Sequence, residues 1–190
     1  MAAGLSPDWS DPDAAVTHAL FFAIFPDKGA ALRIERAFKR VRAENGLRGR
    51  PIRPDRYHIS LHGLGVATLE MIALARGLGD AVDFRPFVLG FDHVVSWSPE
   101  SEHPHLVLRG NDSTLGGLRM LHGVLSRALV AAVPGFKVRA FDPHLTLMYA
   151  DKAIGEQDIE PIDWTVREFA LIESLQGRTH YNWLGRWRLD

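Results

Sequence analysis

Two four-residue segments of this 190-residue chain share one pattern: His58-Ile59-Ser60-Leu61 and His144-Leu145-Thr146-Leu147. Each reads imidazole, apolar, hydroxyl, apolar, inside a stretch with the look of a β-strand. Side chains alternate between the faces of a strand, so His58 and Ser60 point one way and Ile59 and Leu61 the other. His144 and Thr146 stand in the same relation to Leu145 and Leu147. A half-buried strand of this kind presents an imidazole and a hydroxyl on the face away from its apolar residues. Two such strands facing each other would bring two imidazoles and two hydroxyls to one cleft. Imidazoles can take and give protons near neutral pH, and hydroxyls can donate to phosphate oxygens. That is the minimum equipment for metal-free acid–base chemistry on a phosphate. In a chain of this composition about a third of one such match is expected by chance, so the weight lies on the pair.

The elements around the motifs repeat as well. Ala19 to Phe25 is a continuous apolar run of strand length, stopped by Pro26 and Asp27, and suits a central strand covered on both faces. From Lys28 to Glu44, Leu32, Phe38 and Val41 recur at helical spacing among Arg and Lys, and Asn45-Gly46 ends the helix. A basic loop with Arg48, Arg50, Arg53 and Arg56 leads into the first motif strand. Thr68 caps a helix carrying Leu69, Ile72 and Leu78, which Gly79-Asp80 closes. Phe84 to Trp97 reads as one or two extended segments. In the second half, His105 to Arg109 alternates like a strand, and Asn111-Asp112-Ser113 starts a helix with a stripe of Leu115, Leu118, Leu121, Leu125 and Leu129. That helix ends before Pro134-Gly135, and Phe141-Asp142-Pro143 enters the second motif strand. Trp164 to Leu175 and Tyr181 to Leu189 read as two closing strands. Strand, helix, motif strand thus occurs twice. The fold expected is α+β, with two pseudo-symmetric lobes. Each is a mainly antiparallel sheet with helices on its outer face, and the two sheets face each other across a central cleft.

Composition sets outer limits. The chain is 46% apolar and 24% charged, ordinary for a globular protein, and 190 residues can bury one core shared by two lobes. Residues 1–16 read as a flexible leader, and 17–190 as a single bilobal domain. With no Cys there are no disulfides, no thiolate nucleophile and no Cys-type zinc or iron–sulfur site. No apolar run approaches the length of a membrane span and no secretory signal opens the chain, so a cytoplasmic protein without membrane contact is expected. A net charge of −1, with acids and bases well mixed, argues against wrapping long nucleic acid but not against holding one nucleotide or an RNA end. A GxxxxGK phosphate loop is missing, which counts against ATP-driven chemistry, and so is a GxSxG serine motif.

At this point the chain resembles the two-histidine phosphoesterases, and within them the RNA 2′,3′-cyclic phosphodiesterases, also called 2′-5′ RNA ligases. The resemblance is carried by the segments His18 to Asp27, His58 to Gly65, Phe141 to Tyr149, Trp164 to Ser174 and Tyr181 to Leu189. It implies His58 and His144 as the catalytic pair, with Ser60 and Thr146 as phosphate-binding hydroxyls. It also implies a reaction: opening of a 2′,3′-cyclic phosphate on an RNA end or small nucleotide to give a 2′-phosphate. His144 would serve as base for water and His58 as acid for the leaving 3′ oxygen. Reversible 2′-5′ ligation is the same chemistry run backwards. No cofactor and no metal is implied, and a monomer is expected. The second motif is followed by Met148-Tyr149 where many bacterial members place a small residue and an arginine, which leaves the phosphate's charge partner unassigned.

Other residues have plainer roles beside the functional ones. Arg53 and Arg56 lie close enough to the first motif to help neutralise phosphate, and Arg139 stands similarly before the second; exposed loop arginines are more often simply solvated. Tyr181 could stack on a base, although tail aromatics more often fill a core. On an ideal strand Tyr149 falls on the core side, and His62 shares the face of His58. His103-Pro104-His105 lacks the company of a metal site. The competing readings are a phosphodiesterase for 2′-5′-linked oligonucleotides or another cyclic nucleotide, a non-catalytic nucleotide-binding module, and a metallohydrolase using His58, His62 and His144.

Overall fold

The computed structural model describes residues 18–175 and 181–190. The expected leader, residues 1–16, lies outside them. Strand β1 (His18–Ile24) is followed by helix α1 (Lys28–Glu44), a short strand β2 (Gly49–Pro51) and a single 3-10 turn at Pro54–Arg56. Then come β3 (Ile59–Val66), α2 (Leu69–Asp80), β4 (Phe87–Trp97), β5 (His105–Arg109) and α3 (Asp112–Ala132). The chain continues through β6 (Leu145–Ala150), β7 (Gln157–Val166), β8 (Glu168–Leu175) and β9 (Tyr181–Arg188).

Two antiparallel sheets result, one of four strands in the order β3-β1-β8-β9, the other of five in the order β2-β6-β5-β4-β7. Leaving out β2, the orders correspond: each motif strand, β3 or β6, pairs with the strand before its preceding helix, β1 or β5. The expected α+β fold with two facing lobes is what the chain adopts. One continuous core joins the lobes, from Phe22 and Ile24 through Leu118 and Leu125 to Leu145 and Leu147.

Local sequence accounts for the helices. Asp27 caps α1 by accepting from the Ala30 N–H at 2.7 Å, and Ala30, Ile34, Phe38 and Val41 form the buried stripe. Leu32, expected on that stripe, is 54% exposed because it lies half a turn away. The Thr68 hydroxyl accepts from Met71 N–H at 3.1 Å to start α2. Leu69 faces solvent, and α2 buries Ala75 and Gly79 instead. A Cβ on Gly79 would come within 2.3 Å of the Trp187 indole, so only glycine lets this helix approach the sheet so closely. Asn111 caps α3 through Ser113 and Thr114 N–H, and the expected five-leucine stripe is buried.

Three strand readings change. Trp164 to Leu175 is not one strand: it divides at Arg167 between β7 and β8, which belong to different sheets. Strand β7 begins earlier, at Gln157, where Pro161 sits opposite an irregularity between Phe91 and His93. An edge strand tolerates proline there because no ladder bond is lost. The basic loop holds β2, whose Arg50 pairs with Tyr149, so that the linker of the first lobe extends the sheet of the second. Finally, β1 is central as expected, but only Leu20, Phe22 and Ile24 face the core; Phe21 and Phe25 are half-buried on the cleft side.

Candidate active site

The motif strands behave as alternation requires. Ile59, Leu61, Leu145 and Leu147 are buried, Ser60 is exposed, and His58, His144 and Thr146 are half-buried on the opposite face. Ser60 lies opposite Ala23 of β1 and Thr146 opposite Val107 of β5.

One residue beyond each hydroxyl, both strands break step. Ser60 and His62 oppose the consecutive residues Ala23 and Phe22, leaving Leu61 as an extra residue. Thr146 and Met148 oppose Val107 and Leu106, leaving Leu147 extra. Matched β-bulges therefore reverse the alternation after each motif. His62 and Met148 turn into the core as a consequence, and His62 does not share the face of His58. Its ring stacks on His122 of α3, with centroids 4.0 Å apart, and His122 stacks in turn on Phe141 at 3.9 Å. Conversely Tyr149 turns out of the core toward the cleft, where it meets His105 edge-on at 4.6 Å and lies under the Arg50 guanidinium at 5.3 Å. His58, His62 and His144 thus share no common face, and among the described residues no three His, Asp or Glu side chains gather as a metal site would require.

Both imidazoles are held alike. His58 Nδ1–H donates to the Arg56 carbonyl at 2.8 Å, and His144 Nδ1–H donates to the Asp142 carbonyl at 2.9 Å. In each case the acceptor lies two residues earlier. With Nδ1 carrying the proton, Nε2 keeps its lone pair and is the atom left for chemistry. Burial pushes the His58 pKa down to about 4, and the Arg56 and His144 charges add to the fall against the carbonyl bond that opposes it. Burial also lowers His144, while the Asp142 carbonyl and carboxylate pull the other way.

Each imidazole has an aromatic neighbour covered by an arginine. Tyr181 meets the His58 ring edge-on at 5.5 Å, its hydroxyl 3.4 Å from Nδ1, and Arg56 lies over Tyr181 at 4.5 Å. Arg56 Nε is buried and, among the described residues, finds no acceptor. Trp97 lies 4.1 Å from the His144 ring, and Arg109 lies over Trp97 at 5.7 Å while pairing with the Asp142 carboxylate. Arg53 forms an exposed ion pair with Asp55 at 2.8 Å. Arg139 is exposed. The structure therefore places His58, Ser60 and Tyr181 at the first sheet, with Arg56 reaching over Tyr181 from the turn before β3, and His144 and Thr146 at the second.

Sequence reasoning overlooked Phe21, Phe25, Trp97, His105 and Arg109. The signal was present in β5, where Leu106 and Leu108 are buried, so His105, Val107 and Arg109 must share the motif's face. Counting from Ala23 and Val107, which lie opposite the two motif hydroxyls, Phe21 of β1 and Phe25 just past its end correspond to His105 and Arg109 of β5. The two halves of the cleft thus share an aromatic–arginine pair at each imidazole but differ in the neighbouring segment, which carries Phe21 and Phe25 on the His58 side and His105 and Arg109 on the His144 side.

The stack of His62 on His122 carries its own expectation. Burial lowers both, His122 to about 4. An unfolded histidine takes its proton near pH 6.5, so between roughly 6.5 and 4 the unfolded chain binds more protons. The stack's contribution to stability is therefore complete above that window and lost as pH falls through it. His122→Phe keeps the contact with Phe141 and removes one titrating ring. Thermal melts should show a Tm drop between pH 7 and pH 4.5 that is several degrees smaller in the variant; equal drops would mean that His122 does not titrate with unfolding.

Residues 26–178 match a family model described as the 2′-5′ RNA ligase superfamily. Among solved structures, Escherichia coli LigT complexed with 3′-AMP is 30% identical, with a TM-score of 0.67, covering 91% of this chain and 98% of that one. LigT complexed with phosphate is 26% identical at a TM-score of 0.67, over 92% and 99% of the two chains. TT0787 of Thermus thermophilus shares the fold at 24% identity and a TM-score of 0.69, over 90% and 97%. No curated protein sequence matches.

Proposed function

Because the chain belongs to the 2′-5′ RNA ligase superfamily, a group of phosphodiesterases and ligases, we propose that it hydrolyses the 2′,3′-cyclic phosphate of RNA ends or nucleotides to a 2′-phosphate. The observation that carries this reading is the matched pair of imidazoles. Each is fixed through Nδ1 to the carbonyl two residues back, and each precedes a hydroxyl on its own strand face. The binding of 3′-AMP and of phosphate by LigT supports a nucleotide phosphate as the occupant.

His144 Nε2 takes a proton from water as the oxygen attacks phosphorus. The bond from phosphorus to the 3′ oxygen breaks in line, and protonated His58 gives its proton to that oxygen. Ser60 and Thr146 donate to the non-bridging oxygens, where charge builds. Arg109, beside His144, supplies the positive charge that Met148-Tyr149 lacks. In the ligation direction a 5′-hydroxyl replaces water, as the family's name implies.

Burial in the cleft disfavours a protonated imidazole, so the pH dependence is distinctive. The productive form has one imidazole charged and one neutral, whichever serves as acid. Its population peaks between the two pKa values, both below 6.5 and that of His58 about 4. The kcat/KM profile should therefore be a bell centred below pH 6.5, falling tenfold per unit on its alkaline side. A bound phosphate anion stabilises the imidazolium, which should shift the kcat profile to higher pH. A kcat/KM optimum above pH 7 would contradict both shifts. The activity itself is tested with a 2′,3′-cyclic nucleotide in EDTA: a 2′-phosphate product is expected. A 3′-phosphate, or no turnover by folded protein on nucleotide and oligonucleotide alike, would overturn the reading.

A further inference from the structure

Phe25, Trp183 and Arg186 form a row of flat groups that starts at the His58 ring and runs to the edge of the first sheet. Phe25 lies 6.0 Å from the His58 ring and 4.5 Å from the Trp183 indole, and the Arg186 guanidinium covers Trp183 at 4.0 Å. Three positions apart on one strand, Trp183 and Arg186 would ordinarily face opposite ways. An irregularity in the β8 pairing brings them together. Leu171 opposes Gly185 and Ile172 opposes Trp183, which leaves Leu184 extra and turns Arg186 to the side of Trp183.

Core packing does not explain this arrangement. Trp187, on the same strand, is the tryptophan that packs, stacked at 5.1 Å on Phe169, whereas Trp183 is 42% exposed. Arg186 is weakly held, since its ion pair with Glu168 spans 3.9 Å with both side chains half exposed. An exposed indole beside a cleft, under a guanidinium free to turn away, suits the flat face of a nucleobase and the phosphate attached to it.

We propose that Trp183 and Arg186 form a subsite for the nucleotide preceding a terminal cyclic phosphate, so that the preferred substrate is the 3′ end of an RNA strand rather than a free mononucleotide. The inference rests on the hydrolysis reading above. The base stacks on Trp183, displacing the Arg186 guanidinium, which then contacts the intervening phosphate. Three strand spacings separate β3 from β9, roughly 14 Å, a span that a terminal nucleotide and its neighbour cover together. The row itself sets the direction, because Phe25 and Trp183 lead the bases away from the His58 ring toward the sheet edge, while the reacting phosphate stays between the imidazoles. With a net charge of −1 the contact stays short. Stacking accepts any base, so the subsite selects for length and not for sequence.

The test compares kcat/KM for adenosine 2′,3′-cyclic phosphate and for a trinucleotide ending in the same group. Wild type is expected to favour the trinucleotide at least tenfold. Trp183→Ala should reduce that ratio about tenfold, Arg186→Glu should reduce it too, and Trp183→Phe should restore most of it. A wild type without preference, or a ratio unchanged in Trp183→Ala, overturns the subsite. Calorimetry with an uncyclised 3′-phosphorylated trinucleotide needs no turnover and separates the two ideas. If neither cyclic substrate reacts, the hydrolysis reading fails. The subsite then stands if the trinucleotide binds more tightly than 3′-AMP through Trp183, and falls if the two bind equally.

Discussion

Alanine at either His58 or His144 is expected to lower kcat/KM on a 2′,3′-cyclic nucleotide by about 10²–10⁴-fold, the usual weight of one positioned acid or base. The two act as base and acid in a single displacement step, so the double variant should be little worse than the weaker single one. Stability should barely change, because both rings are only half-buried and both give their Nδ1 proton to a carbonyl that water can reach in the truncated proteins. Steady-state kinetics beside thermal melts would check both statements. A His144→Ala protein that kept a tenth of wild-type activity would remove His144 from the chemistry and favour a mechanism with one imidazole. The pH profile of the survivor adds information: losing one histidine should convert the bell into a single limb.

Thr146→Val should cost about 10²–10³-fold in kcat, corresponding to about 2.7–4 kcal/mol for a donor aimed at developing negative charge. Valine preserves the β-branched shape beside Val107 and removes only the hydroxyl, so packing is not at issue. Ser60→Ala on the facing lobe should act in the same direction. Because the hydroxyls serve the transition state more than the ground state, kcat is expected to fall while KM stays within a few-fold. A rise in KM with kcat intact would instead make the hydroxyls simple phosphate binders.

Much of this cleft was legible in the sequence because it rests on strand alternation. Ile59 and Leu61 had to be buried for His58 and Ser60 to be presented, and the same two-residue period placed Thr146. Two helices were legible through their starts at Thr68 and Asn111, and α1 through its apolar spacing and the Asn45-Gly46 end, whereas its Asp27 cap emerged only from the structure. The period failed where the strands bulge. An extra residue at Leu61 and at Leu147 leaves no mark on composition, since both are leucines like their neighbours, yet it sent His62 into the core and Tyr149 out of it. The small edge strands failed for another reason. Gly49-Arg50-Pro51 buries no side chain, so hydrophobic patterning cannot announce β2; what holds it is backbone pairing with β6. The ion pair of Arg109 with Asp142 was not legible, because Asp142 is far along the chain and only the pairing of β5 with β6 brings the two together.

The order of strands bears on how the protein is made. The first sheet takes β1 and β3 from early in the chain and β8 and β9 from late in it, whereas all five strands of the second lie between Gly49 and Val166. When β7 has left the ribosome, the second sheet has every strand it needs. His58 by then stands on a two-stranded ribbon whose β1 edge is bare, and such edges invite pairing with the wrong partner. Adding Glu168 to Arg188 takes roughly one to four seconds at 5–20 residues per second. For that interval the nascent chain carries both histidine motifs while the first sheet lacks two of its four strands and Tyr181, so a stalled or clipped product would look intact by its signature residues with half of one lobe missing.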